Sequence, residues 1–315
     1  MISMKSIGRN GLTDLSVNIG RLILKNPVMP AAGTFGYGQE YEPFLDLNRL
    51  GAVIVKTLTL KPRVGSFPHR STETPSGWLG SVGLQNVGID RFIDEKLPYF
   101  DTIETPLIVS LGGETIEEYV ELARRVNRKE RINAIELNVS CPNVKKGGIQ
   151  FGTDPEAMKG LVSGVRQATD KILIIKLSPM VNDIRVFAEM SQQHGADAIS
   201  LINSPIGLAI DIEKRRLKLG RNITGGLAGP AIKPLALYLV WQVYKAVDIP
   251  IIGIGGISSA EDAVEFLIAG ASAVQIGTYN FVDPTITLKV IDGIEAYLRQ
   301  NKIETLSPLT GSLTE

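Results

Sequence analysis

Eight short runs of apolar, largely β-branched residues recur along this chain, and their alternation with amphipathic stretches constrains its fold more than any other feature. The runs occupy residues 28–31, 52–56, 107–111, 134–139, 173–177, 198–202, 251–254 and 273–276. Continuous apolar runs of this length suit parallel strands covered on both faces. The stretches between them carry helix-start signals. Thr153-Asp154-Pro155-Glu156 offers a cap followed by proline at the first helical position, and Ser258-Ser259-Ala260-Glu261 reads as a capping box. Eight strand–helix alternations predict an α/β fold, a (β/α)8 TIM barrel. A doubly wound sheet is the alternative, but no glycine-rich turn follows the first run as a dinucleotide-binding fold requires.

Residues 15–19 and 21–24 flank Gly20 and predict an N-terminal β-hairpin across the barrel's bottom. Two long excursions, 62–75 after the second strand and 207–229 after the sixth, have the length of lids or binding loops. With no low-complexity linker, residues 1–315 are expected to form a single barrel domain.

Lys plus Arg (33) balance Asp plus Glu (33), so no net field draws the chain to nucleic acid or to an anionic membrane. The single cysteine excludes an internal disulfide, and with only two histidines it cannot complete a zinc cage. No apolar run reaches membrane-spanning length and no signal-peptide core is visible, so a cytoplasmic protein is expected.

In a barrel the C-terminal strand ends form the active face. Here those ends read Lys56-Thr57, Ser110, Asn138 with Cys141, Lys176, Asn203-Ser204, Gly255-Gly256 and Gly277-Thr278. Lys176 lies between apolar neighbours, so it must be paired, have a lowered pKa or face a bound anion. Glycine turns after strands seven and eight suit phosphate, held by bare backbone N–H groups and a helix N-terminus. The Cys141 thiol stands between Asn138 and Asn143 in a polar loop, where a thiol is better placed to meet a ligand than in a core. His194 reads as a helix end, and the Lys145-Lys146 pair as part of a solvated, glycine-bounded lid.

Together these residues resemble the class 1 dihydroorotate dehydrogenases over nearly the whole chain. The resemblance rests on Asn138-Val139-Ser140-Cys141-Pro142-Asn143, on Gly225-Gly226-Leu227-Ala228-Gly229-Pro230-Ala231-Ile232-Lys233-Pro234 and on Gly253-Ile254-Gly255-Gly256-Ile257. Gly147-Gly148-Ile149-Gln150-Phe151-Gly152-Thr153-Asp154 and Ala31-Ala32-Gly33-Thr34-Phe35-Gly36-Tyr37-Gly38 are similar to the NAD-linked class 1B. The resemblance implies an FMN-bearing barrel in which Cys141 is the base, taking a proton from C5 of dihydroorotate while hydride leaves C6 for the flavin. It implies flavin contacts from Ala32, Lys56, Thr57, Ser110, Asn138, Lys176, Ile202, Gly229, Gly255, Gly256, Gly277 and Thr278. Substrate contacts would come from Lys56, from Gly80, Ser81, Val82, Gly83 and Leu84, and from Asn138, Asn143, Asn203 and Ser204. Class 1B also implies a partner subunit carrying FAD and a [2Fe-2S] cluster that passes electrons to NAD+, around a homodimer core in a heterotetramer. One cysteine cannot ligate such a cluster, so it belongs on the partner.

One position departs from the family. Its substrate motif usually opens with asparagine, and this chain has Gly80 there. Either Ser81 or water takes over the missing hydrogen bonds, or the substrate is a different dihydropyrimidine. Ala32 similarly stands where serine is frequent. Alternatives to the NAD-linked flavoenzyme are a class 1A-like enzyme using fumarate, a barrel lyase forming a Schiff base on Lys176, and a scaffold subunit with a decayed site.

Overall fold

The computed structural model describes residues 13–139 and 151–314. All eight predicted runs are strands: β1 Val28–Pro30, β2 Val53–Leu58, β3 Leu107–Leu111, β4 Ile132–Asn138, β5 Ile172–Lys176, β6 Ala198–Leu201, β7 Ile251–Ile254 and β8 Ala273–Ile276. They form one parallel sheet in the order β1-β8-β7-β6-β5-β4-β3-β2. Its two edges meet, because the Gly51 N–H just before β2 donates to the Val28 carbonyl of β1 at 2.9 Å. The sheet therefore rolls into a nearly closed (β/α)8 barrel. A Cβ at Gly51 would lie 2.1 Å from the Asn26 carbonyl oxygen, so only glycine permits that seam.

Among the described residues the longer helices covering the barrel are α1 Ile116–Asn127, α2 Pro155–Ala168, α3 Ile184–Gln193, α4 Lys233–Tyr244, α5 Ala260–Ile268 and α6 Ile286–Gln300. In α1 the buried Tyr119, Leu122, Ala123 and Val126 recur at helical spacing, and the Thr115 hydroxyl caps the Glu118 N–H. In α2 Asp154 is the N-cap and Pro155 the first helical residue, as the sequence predicts. The capping box of α5 is displaced by one residue: Ser259 pairs with Asp262, not Ser258 with Glu261. The reason is tertiary, since Asp262 is buried and also receives the Lys233 ammonium of α4 at 2.6 Å.

Inside the barrel the strands follow a period of two that apolar runs conceal. In β5, Leu173 and Ile175 join the core beneath the helices, whereas Ile172 and Ile174 join a second apolar cluster with Met29, Ile54, Ile108, Ala134 and Ile252. That cluster includes Ile19 and Leu24 of the predicted hairpin, whose strands Val17–Ile19 and Leu22–Leu24 pair antiparallel. Both residues are fully buried, so the hairpin plugs the barrel bottom, each side chain contributing about 1.5–3 kcal/mol relative to exposure. Above this apolar floor the interior turns polar with Ser110, Glu136, Lys176, Ser200 and Gln275, all buried.

The two long excursions are not free loops. Both run past their expected bounds: strands Ser71–Thr74 and Gly77–Gly80, the latter beyond residue 75, join Ile206–Gly207 and Gly225–Ala228 in a four-stranded antiparallel sheet. This sheet roofs one side of the mouth: the Cβ direction of Gly226 runs to Ser204 at 2.7 Å, and Ala228 lines the mouth cavity. Its other face buries Leu79 against Leu219. Among the described residues no helix is long and apolar enough to cross a membrane.

Candidate active site

A cavity opens at the C-terminal strand ends, lined by Ala31, Ala32 and Thr34 after β1, Lys176 of β5, residues 202–204 after β6, 228–230 of the roof, 255–257 after β7 and 277–279 after β8. The rim residues read from the sequence on strands five to eight thus converge here, together with Ala32, which the resemblance places at the flavin. Lys56, Thr57, Ser110 and Asn138 belong to the neighbouring strand ends on the same rim.

Local backbone geometry aims several of these groups. A register shift between Val55 and Leu58 inserts an extra residue in β2 relative to β3. Such a bulge re-aims side chains. Thr57 consequently meets Ser110 across the strands, hydroxyl to hydroxyl at 2.9 Å, while the Lys56 N–H donates to the Gly36 carbonyl. The Lys56 ammonium is half-buried and makes no ion pair among the described residues. Burial, followed by the Arg70 guanidinium, holds its pKa below the usual lysine range. Arg70 is itself fixed by the Ser66 carbonyl and by Gln85.

Asn138 ends β4. Its carbonyl accepts from the buried Tyr119 hydroxyl at 2.6 Å, and its side-chain oxygen accepts from the Asn203 amide at 3.0 Å. Asn203 in turn accepts from the Ser204 N–H at 2.9 Å. Asn203 and Ser204 line the cavity, and Asn138 fixes the Asn203 amide from the neighbouring strand end. Lys176 resolves the three-way expectation above as a paired group: its ammonium lies 3.8 Å from the carboxylate of Glu136, which is wholly buried.

The glycine turn after β7 packs so closely on α4 that no side chain fits there, which leaves a cradle of bare backbone at the mouth. Gly255 and Gly256 have φ of 131° and 77°, and Cβ atoms there would lie 2.9 Å from Ala236 Cβ and 2.8 Å from the Lys233 backbone nitrogen. Bare N–H groups in such a turn favour an anion. The expected contribution of a helix N-terminus is altered, because the Ser258 and Ser259 N–H groups before α5 already donate to Asp262 at 2.8 and 3.1 Å. Anion binding is left to the glycines and to the turn at Gly277 and Thr278. Cradle, lysine and apolar walls together fit a phosphate-bearing planar cofactor.

The segment from Gly80 to Leu84 divides. Leu84, at φ 53°, reaches the mouth, standing with Thr57 beside the Cβ direction of Gly112. Ser81, Val82 and Gly83 are tied instead to the outer excursion, through Ser81 N–H to the Arg70 carbonyl and Ser66 N–H to the Val82 carbonyl. Gly80 pairs with Gly226 across the roof. Cys141 and Asn143, with the Lys145-Lys146 pair, lie outside the described residues. His194 caps α3, with its ring 3.2 Å from the Ser163 hydroxyl.

A sequence model of the family described as dihydroorotate dehydrogenase matches residues 14–298. The chain belongs to that family. A relative from Geotalea daltonii named dihydroorotate dehydrogenase B (NAD(+)), catalytic subunit, is 56% identical over 300 residues, covering 95% of this chain and 98% of its own. One of the same name from Parabacteroides distasonis is 53% identical, covering 96% and 99%. The barrel also superimposes on a crystal structure of DHODH from Eimeria tenella in complex with ferulenol, with a TM-score of 0.79, 24% identity and coverage of 95% and 88%. That last likeness concerns the fold alone.

For a member of the dihydroorotate dehydrogenase family, two parts of this mouth escape the sequence reading. Glu136 hides in an apolar run, although a lone acid two residues before Asn138 on one face of a strand was a usable signal. Trp78 carried no signal; its indole meets Phe281 edge-on at 5.7 Å on the mouth side of the roof.

Proposed function

We propose that this chain oxidises (S)-dihydroorotate to orotate in pyrimidine synthesis, with FMN at the barrel mouth. The observation that carries the reading is the convergence on one cavity of the Gly255-Gly256 cradle, Lys176, and Asn203 with Ser204, the Asn203 amide being held by Asn138. Gly229, Gly255, Gly256, Gly277 and Thr278 would hold the phosphate end of FMN, and Ala32, Thr57, Ser110, Asn138, Lys176 and Ile202 its ring system. Bound there, FMN supplies the hydride acceptor.

The chain's own residues do the rest. Lys56, aided by the nearby Arg70 charge, attracts the substrate carboxylate. Asn138, Asn143, Asn203 and Ser204 orient the ring by hydrogen bonds, and Cys141 removes the C5 proton. Lys176 keeps a positive charge where negative charge builds up. Lys176 faces a buried carboxylate, not the purely apolar or cationic surroundings that activate a Schiff-base lysine, which disfavours the lyase.

The relatives named as NAD(+) catalytic subunits support a partner that takes the electrons onward. We assign FAD and [2Fe-2S] to that partner, because this chain's one cysteine cannot hold a cluster. A homodimer of the chain would form the core of such an assembly, each copy a single barrel domain. The test is anaerobic. Purified protein loaded with FMN should bleach at the flavin band on adding dihydroorotate, and should reduce NAD+ only with the partner present. Absence of flavin binding, or turnover with fumarate but not with the partner, would overturn the respective half of the proposal.

A further inference from the structure

The carboxylate of Glu136 has no role in the mechanism above, yet it is fully buried one layer beneath the mouth. Its Oε2 accepts from the Ser200 hydroxyl at 3.0 Å and from the Gln275 amide at 2.7 Å. Its Oε1 has no hydrogen-bond partner among the described residues and faces the Lys176 ammonium at 3.8 Å. Two neutral donors on one oxygen thus lock the carboxylate in place, while the other oxygen is left to act on the lysine through space. At 3.8 Å the ammonium is not consumed by a hydrogen bond, so its donors remain available to the cavity that it lines.

Stability does not explain this arrangement. Taking a carboxylate and an ammonium out of water is expensive, and a well-packed apolar pair of similar volume is often as stable or more so. Electrostatics does explain it. A lysine alone beneath the mouth would present a full positive charge to whatever binds above. A fixed carboxylate behind it reduces that field, and low-dielectric surroundings make the reduction large.

We infer that Glu136 is a positioning residue that acts through Lys176, fixing its ammonium and setting the net charge presented to the cofactor. The role rests on the FMN reading above. Its consequence is that Glu136 holds the flavin's midpoint potential below the value Lys176 alone would impose, because a weaker positive field stabilises the anionic reduced form less.

The near-isosteric Glu136→Gln tests this in the FMN-loaded protein. Its midpoint potential, measured against a reference dye, should rise so that the reduced-to-oxidised ratio increases about tenfold, roughly 30 mV for a two-electron couple. Sulfite, which adds to electron-poor flavins, should bind tighter in the same variant. An unchanged potential with FMN fully bound overturns the charge-setting role. The pairing is tested without cofactor by a thermal-melting cycle on the apoprotein. Lys176→Met should be strongly destabilising, because it strands a buried carboxylate, and adding Glu136→Gln should restore much of the loss. Additive effects overturn the pairing. If the unsubstituted protein binds no FMN, the FMN reading fails and the charge-setting role falls with it, while the melting cycle still decides the pair.

Discussion

The indole of Trp78 occupies the space that any side chain at residue 80 would need: a Cβ built on Gly80 lies 2.4 Å from the Trp78 ring. The two residues stand two apart on one strand and so share a face. That face is the one on which Gly226 meets Ser204 and Ala228 lines the cavity. The glycine that departs from the family's pattern is therefore matched to a neighbouring ring, which with Phe281 walls the mouth on this side. Gly80→Asn alone is expected to overpack the roof, costing about 1–3 kcal/mol in thermal stability. Gly80→Asn combined with Trp78→Leu should regain that stability. If dihydroorotate is the substrate, the double variant should also bind orotate some three- to tenfold tighter, about the worth of one neutral hydrogen bond. Melting curves and an orotate titration of the flavin spectrum check both points. A single Gly80→Asn that melts normally would contradict the steric account.

Cys141→Ala should slow flavin reduction by dihydroorotate about 10²–10⁴-fold while FMN stays bound, the usual contribution of a positioned base. Cys141→Ser should fall between, since a hydroxyl is a far weaker base than a thiolate. Stopped-flow bleaching of the flavin measures this, and near-normal reduction in the alanine variant would remove the thiol from the mechanism.

Lys56 sets an alkaline limit. Burial, with Arg70 close by, lowers its pKa, so the folded protein releases this proton before the unfolded chain does. Between the lowered value and the ordinary lysine value the unfolded state binds more protons, and this residue's contribution to stability rises with pH. Affinity for an anionic ligand moves the other way, falling as the ammonium is lost. Orotate titrations at increasing pH should weaken below the pH at which a free lysine titrates. Lys56→Met should bind weakly at every pH and lose that dependence; an unchanged profile in the variant would assign it elsewhere.

Gly256→Ala should damage the cradle. The backbone at φ 77° costs a non-glycine residue about 1–2 kcal/mol, and the new methyl group would meet the first turn of α4 at 2.8 Å. We expect FMN to bind at least tenfold more weakly, read by fluorescence titration of the apoprotein. Unimpaired binding would show that the phosphate lies elsewhere.

The eight strands, the hairpin under them and the cap of α2 were legible because each is a local matter. A strand covered on both faces must be apolar throughout, as at 172–175, and a proline after an aspartate starts a helix wherever it occurs. The order of polar residues along the rim was legible for the same reason, since a parallel barrel brings successive strand ends to one side. What the chain alone could not decide depends on neighbours distant in sequence. The box at Ser259 follows from Lys233 reaching across from α4, and the excursions become a roof only because Gly80 finds Gly226. Glu136 and Lys176 lie forty residues apart in adjacent strands, and each reads as a lone charge in an apolar run. Whether such a charge points at helices or into the barrel is set by strand register, and only closure of the sheet brings Ser200 and Gln275 against Glu136 to make a buried carboxylate tenable.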